Sequence, residues 1–415
     1  MRTVLLRRDL ALVWLGGLIS LTGDRALLIA LPVFVYQQTG STLATAAMFT
    51  ANYLPSVLLG TIAGVFVDRW SRKQIMVVTN LMQGVVMLLL LLVRSGEWLW
   101  LVYLVIFVET CIAMFFQPAE GALLPSLIGE EQLVQANALV GLNNNIARLA
   151  GPALGGLLIG IFGLQSVALF DSASFLIAGG MIALISATAP PASDNQPGEV
   201  ASAWMRMWRE WRDGLRLVVR SRAIAVLFLV VNLTSFGGAM IDPLYTPFML
   251  DVVHADAVAL GWLSTATAIG GIFGGLLLGR FGLRARPIYL VGVGTIVAGI
   301  CLLVMYHLTV LSGVLVFGFL LGIPLVGSNA GLETFAQTNT PDRYRGRVFG
   351  AIGTTNALVG LASLAISGIF GEIVGIVPML TVAAGITICA GIVALVAIPW
   401  AEASRGGTKE ASTVA

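Results

Sequence analysis

The chain has 415 residues, of which 58% are hydrophobic and only 11% charged, against roughly 25% charged in an ordinary soluble domain. A mean hydropathy of +0.93 excludes a water-soluble fold and reads as an all-α integral membrane protein that crosses the bilayer repeatedly. A formal charge of +2 from 23 basic and 21 acidic residues leaves no net field that would draw nucleic acid, so the lipid bilayer is the expected surrounding and nucleic acid is not an expected partner.

A helix needs about 20 mostly apolar residues to cross a bilayer. Twelve such runs follow in chain order: 10–36, 42–67, 74–93, 98–121, 137–161, 166–188, 224–249, 258–279, 287–307, 309–334, 347–371 and 377–400. The first run follows Arg2, Arg7 and Arg8 but is too long for a signal-peptide core and carries no small-residue cleavage site, so it is expected to stay as a span. An even count puts both termini on one side. With the N-terminus inside, 20 of the 23 basic residues fall in inner loops and tails, which places both ends in the cytoplasm by the positive-inside rule.

The polar gap between the sixth and seventh runs divides the chain into an N-terminal six-helix half (1–189), a linker (190–222), a C-terminal six-helix half (223–400) and a tail (401–415). The linker opens as PPASDNQPGE and then changes character: Trp204, Trp208, Trp211 and Leu215 recur at helical spacing among Arg206, Arg209, Arg212, Arg216 and Arg220. This second part reads as an amphipathic helix at the cytoplasmic membrane interface, with a partner-binding role as the alternative. The three cysteines lie inside apolar runs and read as small buried hydrophobes.

An internal repeat crosses the linker. The loop GVFVDRWSRK starting at Gly64 and the loop GLLLGRFGLRAR starting at Gly275 are 211 positions apart, and the same offset lays IGEEQLVQANA from Ile128 over NTPDRYRGRVF from Asn339. Two pseudo-symmetric halves in parallel orientation are expected, as in transporters whose halves rock about a central site.

GVFVDRWSRK is similar to the signature loop G-x-x-x-D-R-x-G-R-K of the major facilitator superfamily, with Ser71 in place of its second glycine. ARLAGPALGGLLIG, with Gly151, Pro152, Gly155 and Gly156, resembles the antiporter motif of that superfamily's drug exporters, with Ala147 in place of the first glycine. The stretches from Ala122 to Leu139 and from Thr340 to Gly350 resemble the branch holding enterobactin and macrolide exporters. The resemblance implies proton-antiport export of a small amphipathic molecule by alternating access, in a bacterial inner membrane and as a monomer. It also implies a cytoplasmic latch made by Gly64, Asp68, Arg69, Arg72 and Lys73 with Arg343, Arg345 and Arg347.

No G-x-x-x-x-G-K-[ST] loop is present, so transport would draw on an ion gradient, with no cofactor. Ionisable residues inside spans are then the candidates for carrying protons, because a charge at the bilayer centre costs about 2.5–3.5 kcal/mol and is kept for a task. Asp24, Glu109 and Arg148 lie near the middle of spans one, four and five, on small or polar stripes at helical spacing. They are expected to converge as a proton-coupling set, or else to form a static ion pair between Arg148 and a carboxylate. Arg25, Glu120, Asp171, Asp242 and Glu333 lie off centre or beside Asp24, and the four-residue glycine spacings on spans two, five, eight and eleven are expected to permit close helix contact. His254 and His307 make no base or metal-ligand pair, which argues against an enzyme; a facilitator that imports or flips a lipid-like substrate, and a sensor without transport, remain alternatives.

Overall fold

In the computed structural model the described residues are 8–67, 70–128, 133–186, 200–220, 222–281, 286–340 and 342–411. They form thirteen long helices, twelve of which are long and apolar enough to cross a membrane. In chain order these are α1 (Arg8–Thr39), α2 (Thr42–Val67), α3 (Arg72–Leu88), α4 (Leu99–Ile128), α5 (Leu133–Phe162) and α6 (Leu164–Ala183). After the linker come the amphipathic α7 (Val200–Arg220), then α8 (Arg222–Pro247), α9 (Ala257–Phe281), α10 (Pro287–Met305), α11 (Leu311–Asn339), α12 (Asp342–Ile373) and α13 (Ile376–Ala411).

Helices dominate because an apolar solvent cannot satisfy backbone polar groups, so each segment must bond its own. Breaks fall where the backbone permits reversal: Gly40, Gly163 and Gly375 end α1, α5 and α12 at positive φ of 61°, 79° and 104°. Several spans outrun their sequence boundaries. Helix α4 continues through Pro118 and Pro125 to Ile128, and α8 passes Pro243 into a π-helical turn over Phe248–Val252, since losing single backbone bonds bends a membrane helix without ending it.

The described chain separates into two compact units, residues 1–204 with 255–265 and residues 205–254 with 266–415. In the first, α1 packs on α5 and α6, α3 on α4 and α6, and α2 on α4. In the second, α8 packs on α12 and α13, and α10 on α11 and α13, which is the same pattern six spans later. The cores repeat as well. Val13, Met76, Ala119 and Ile182 meet in the first unit, while Leu227, Ile288, Phe335 and Ala394 meet in the second.

Small residues set the helix spacing, but not always those that the four-residue rhythm picks out. On α9, Gly270 and Gly274 lie tightly against the backbone of Phe319 and Ile323 on α11, whereas Gly271 is in ordinary contact with Val326 and the Gly322 carbonyl, Gly275 only touches Val326, and Gly279 faces open space. The close stripe keeps the four-residue spacing but lies one residue earlier, on Gly270 and Gly274. The cysteine expectation also needs one correction. Cys301 is buried, but Cys111 is half-buried and Cys389 exposed along its span, since a lipid-facing position is as apolar as a core.

Candidate functional site

The middle of the first unit is unusually polar for a membrane interior. Asp24 on α1 lines a cavity of about 170 Å³ together with Ser20, Asn80, Gln83, Gln117, Glu120 and Asn143, drawn from α1, α3, α4 and α5. Buried amides need partners, and most here find one. Asn80 Nδ2 donates to the Met76 carbonyl at 2.7 Å, and Asn143 Nδ2 to the Trp14 carbonyl at 2.8 Å. The Asn143 Oδ1 atom is buried without a partner, an acceptor left over for water or a ligand.

Glu109 lies one residue beyond the cavity wall. Its Oε1 accepts from Gln83 Nε2 at 2.8 Å and its Oε2 from Thr110 Oγ1 at 3.3 Å, while Asn52 Nδ2 on α2 donates to that hydroxyl at 3.2 Å. The carboxylate is therefore held between α3 and α4 by a chain of amides and a hydroxyl that ends on α2. Because Gln83 also lines the cavity, a single amide separates Glu109 from the space that Asp24 faces.

Asp171 completes the acidic set. It is fully buried on α6, where its Oδ1 accepts from Ser174 Oγ at 3.2 Å and its Oδ2 has no partner. Its place depends on Gly23: a Cβ there would collide with both the Asp171 carboxylate and the Ser174 hydroxyl, so only glycine on α1 leaves room for an acid on α6. Asp24, Glu109 and Asp171 lie within electrostatic reach of one another.

Arg148 does not join them. Its side chain is exposed, and the charge it acts on is that of Arg25. The reason is the packing of α5: Gly151 rests on Arg25 and Thr22, and Gly155 on the backbone of Ala26, which turns Arg148 along the α1 edge toward Arg25. Among the described residues no ion pair within 4.0 Å joins Arg25 or Arg148 to Asp24, Glu109 or Asp171, and the static pair expected as an alternative is not formed. Glu120 also lines the cavity.

The glycine–proline motif divides its tasks. Gly151 and Gly155 face α1, whereas Gly156 and the Pro152 carbonyl meet the start of α9 at Ala257 and Gly261. Thr265 Oγ1 donates to the Leu149 carbonyl at 2.9 Å, in the turn where Pro152 loosens the helical ladder. Of the expected latch, Arg72 Nη1 donates to the Ala122 carbonyl on α4 at 2.8 Å and Lys73 Nζ to the Ile185 carbonyl just past α6 at 2.6 Å. Both cations so tie α3 to its own unit, and Lys73 sits at the negative end of a helix dipole. Asp68 and Arg69, the surroundings of Gly64, and the side chains of Arg343, Arg345 and Arg347 lie outside the described residues.

Two sixfold sets of spans that repeat one packing pattern, with polar groups concentrated inside a bilayer-sized layer, define a membrane transporter of the major facilitator class. The chain belongs to the transmembrane secretion effector family of that superfamily, whose profile matches residues 5–411. Macrolide efflux protein A of Streptococcus pyogenes is 27% identical over 392 residues, covering 92% of this chain and 94% of that one. The multidrug efflux pump Tap of Mycobacterium tuberculosis is 24% identical over 395 residues, covering 92% of each. The crystal structure of the nucleoside transporter NupG shares the fold with a TM-score of 0.73 at 12% identity, covering 93% of this chain and 99% of that one. These are transport proteins, and the chain is a transporter and not an enzyme.

Proposed function

We propose that the chain is a secondary-active exporter of amphipathic small molecules, in the class of macrolides and related drugs, driven by proton antiport through alternating access. The observation that carries this reading is the acidic set Asp24, Glu109 and Asp171, gathered inside one unit; among the described residues none of the three forms a salt bridge, and the one cation acting on Asp24 is its chain neighbour Arg25. The ionisation of such groups is mutually dependent and follows local hydration. A conformational change that wets or dries the cavity therefore moves a proton on or off the set, which is the elementary act of proton coupling. Export, as opposed to import, is supported by the relatives that carry efflux names and by the Gly151–Gly156 motif. In this reading the protein works as a monomer in the bacterial inner membrane with both termini in the cytoplasm.

The test uses purified protein in liposomes with a labelled macrolide as probe. An imposed proton gradient is expected to accelerate probe movement against its own gradient, and a sodium gradient of equal size is not. Movement indifferent to both gradients would replace the reading with that of an uncoupled facilitator.

A further inference from the structure

The linker helix α7 has two apolar edges, one packed into the second unit and one exposed. Trp211 Nε1 donates to Thr355 Oγ1 on α12 at 3.1 Å. Val218 is buried with Ile224, Val348 and Ile352, at the very positions where the spans of α8 and α12 begin. This packs α7 against the first turns of the apolar runs of α8 and α12 in the second unit. A second edge, about 60–80° around the helix from Trp211, carries Trp208 and Val219, which are 44% and 82% exposed. Trp208 stands edge-on to Trp211, with ring centroids 5.1 Å apart. Arg209, Arg212 and Arg216 are exposed immediately beyond this edge; of the three, Arg216 shares its charge with Asp213 at 3.3 Å. Helix α7 carries five arginines against Glu210 and Asp213.

We infer that the Trp208–Val219 edge of α7 and its flanking arginines form a docking surface for the anionic phospholipid headgroups of the surrounding bilayer. Three observations select this partner. The helix lies where α8 and α12 leave the apolar layer, so a bilayer surface is the material at hand. A tryptophan beside an aliphatic residue suits the headgroup level, where an indole keeps one end in lipid and one in water. Arginines on the next strip supply charge complementary to phosphate, each worth roughly a fivefold preference for an anionic surface. The result is a lipid-contacting helix bolted to α12 through Trp211 and Val218, so the composition of the leaflet bears on a membrane-spanning element.

The experiment uses the full chain with its three cysteines replaced and a fluorescent label on Val219→Cys. It is reconstituted in phosphatidylcholine vesicles with or without phosphatidylglycerol. Quenching by a nitroxide carried on the lipid is compared with quenching by a neutral water-soluble nitroxide, a readout that needs no transport and stands whether or not the exporter reading holds. With phosphatidylglycerol the label is expected to be quenched from the lipid and shielded from water, and the effect should fade as salt rises from about 0.05 M to about 0.5 M. The variant Arg209→Gln, Arg212→Gln, Arg216→Gln should lose about a hundredfold of the preference for the anionic surface, at roughly fivefold per arginine. The Arg216–Asp213 pair that it removes is an exposed one of small worth to folding. A label equally open to water in both vesicles would overturn the proposal and leave the edge to a soluble partner. Full phosphatidylglycerol dependence in the triple variant would overturn it as well.

Discussion

At the residue scale, Asp24 and Glu109 were legible in the sequence because a charge near the middle of an apolar run has few explanations. Asp171 was not, since it lies seven residues into its span and depends on a feature of another helix: the missing side chain of Gly23, which leaves the acid its room. Arg148 was misplaced for the converse reason. Its depth along α5 could be counted, but its direction depended on Gly151 and Gly155 packing against α1. Removing titration while keeping shape separates these residues. Asp24→Asn with Glu109→Gln is expected to abolish proton-driven transport while probe binding persists. Asp171→Asn is expected to leave transport active but to change its pH profile, because it removes one member of a set whose ionisation is mutually dependent. Transport and binding measured from about pH 5.5 to 8.5, a window that brackets carboxylates displaced by several units, decide both points. Normal coupling in the double variant would remove the acidic set from the mechanism, and an unmoved profile in Asp171→Asn would remove Asp171 from the set.

At the element scale, the number and order of the spans were legible because each is a long apolar run with polar punctuation. Exact ends were not, because prolines such as Pro118 and Pro125 are tolerated inside α4. Helix α7 was legible as amphipathic, yet its Trp204–Leu215 stripe did not reveal that Trp211 would dock on α12 while Trp208 stayed exposed. Contacts between helices are set by close approach, and α5 offers a direct comparison. A Cβ on Gly155 would collide with the backbone of Ala26, whereas one on Gly141, in the same helix, meets nothing within 4 Å. Gly155→Ala must therefore push α1 and α5 apart, at a cost of about 1–3 kcal/mol for an overpacked contact. Gly141→Ala should be neutral or slightly stabilising through helix propensity. Thermal unfolding of the purified proteins in detergent is expected to show a lowered midpoint for the first variant alone; equal midpoints would mean that the α1–α5 contact is not as close as its glycines require.

At the scale of the whole molecule, the two units repeat one arrangement, with the third span packing on the fourth and sixth, and the first on the fifth and sixth, in each. The 211-residue offset between loops was the sequence signal of that repeat, since loops with matching charge and turn residues keep their register when span sequences drift. Orientation rests on a different quantity, the bias of arginine and lysine toward one side, and it can be read by labelling. Twenty of the 23 basic residues fall on the proposed cytoplasmic side, so single cysteines placed at Asn195 and Thr408, in the linker and the tail, should be shielded from an impermeant thiol reagent in intact cells. Positions on the other side need care. Asp256 Oδ1 accepts from the Ala259 amide at 2.8 Å and caps α9, so replacing it would loosen the very helix that abuts Pro152. Glu97, exposed before α4, and Ala255, one residue ahead of that cap, are the better sites. Both should react in intact cells, and Asn195 and Thr408 only after the membrane is opened. The reverse pattern would invert the topology. The direction of export would then have to be argued anew.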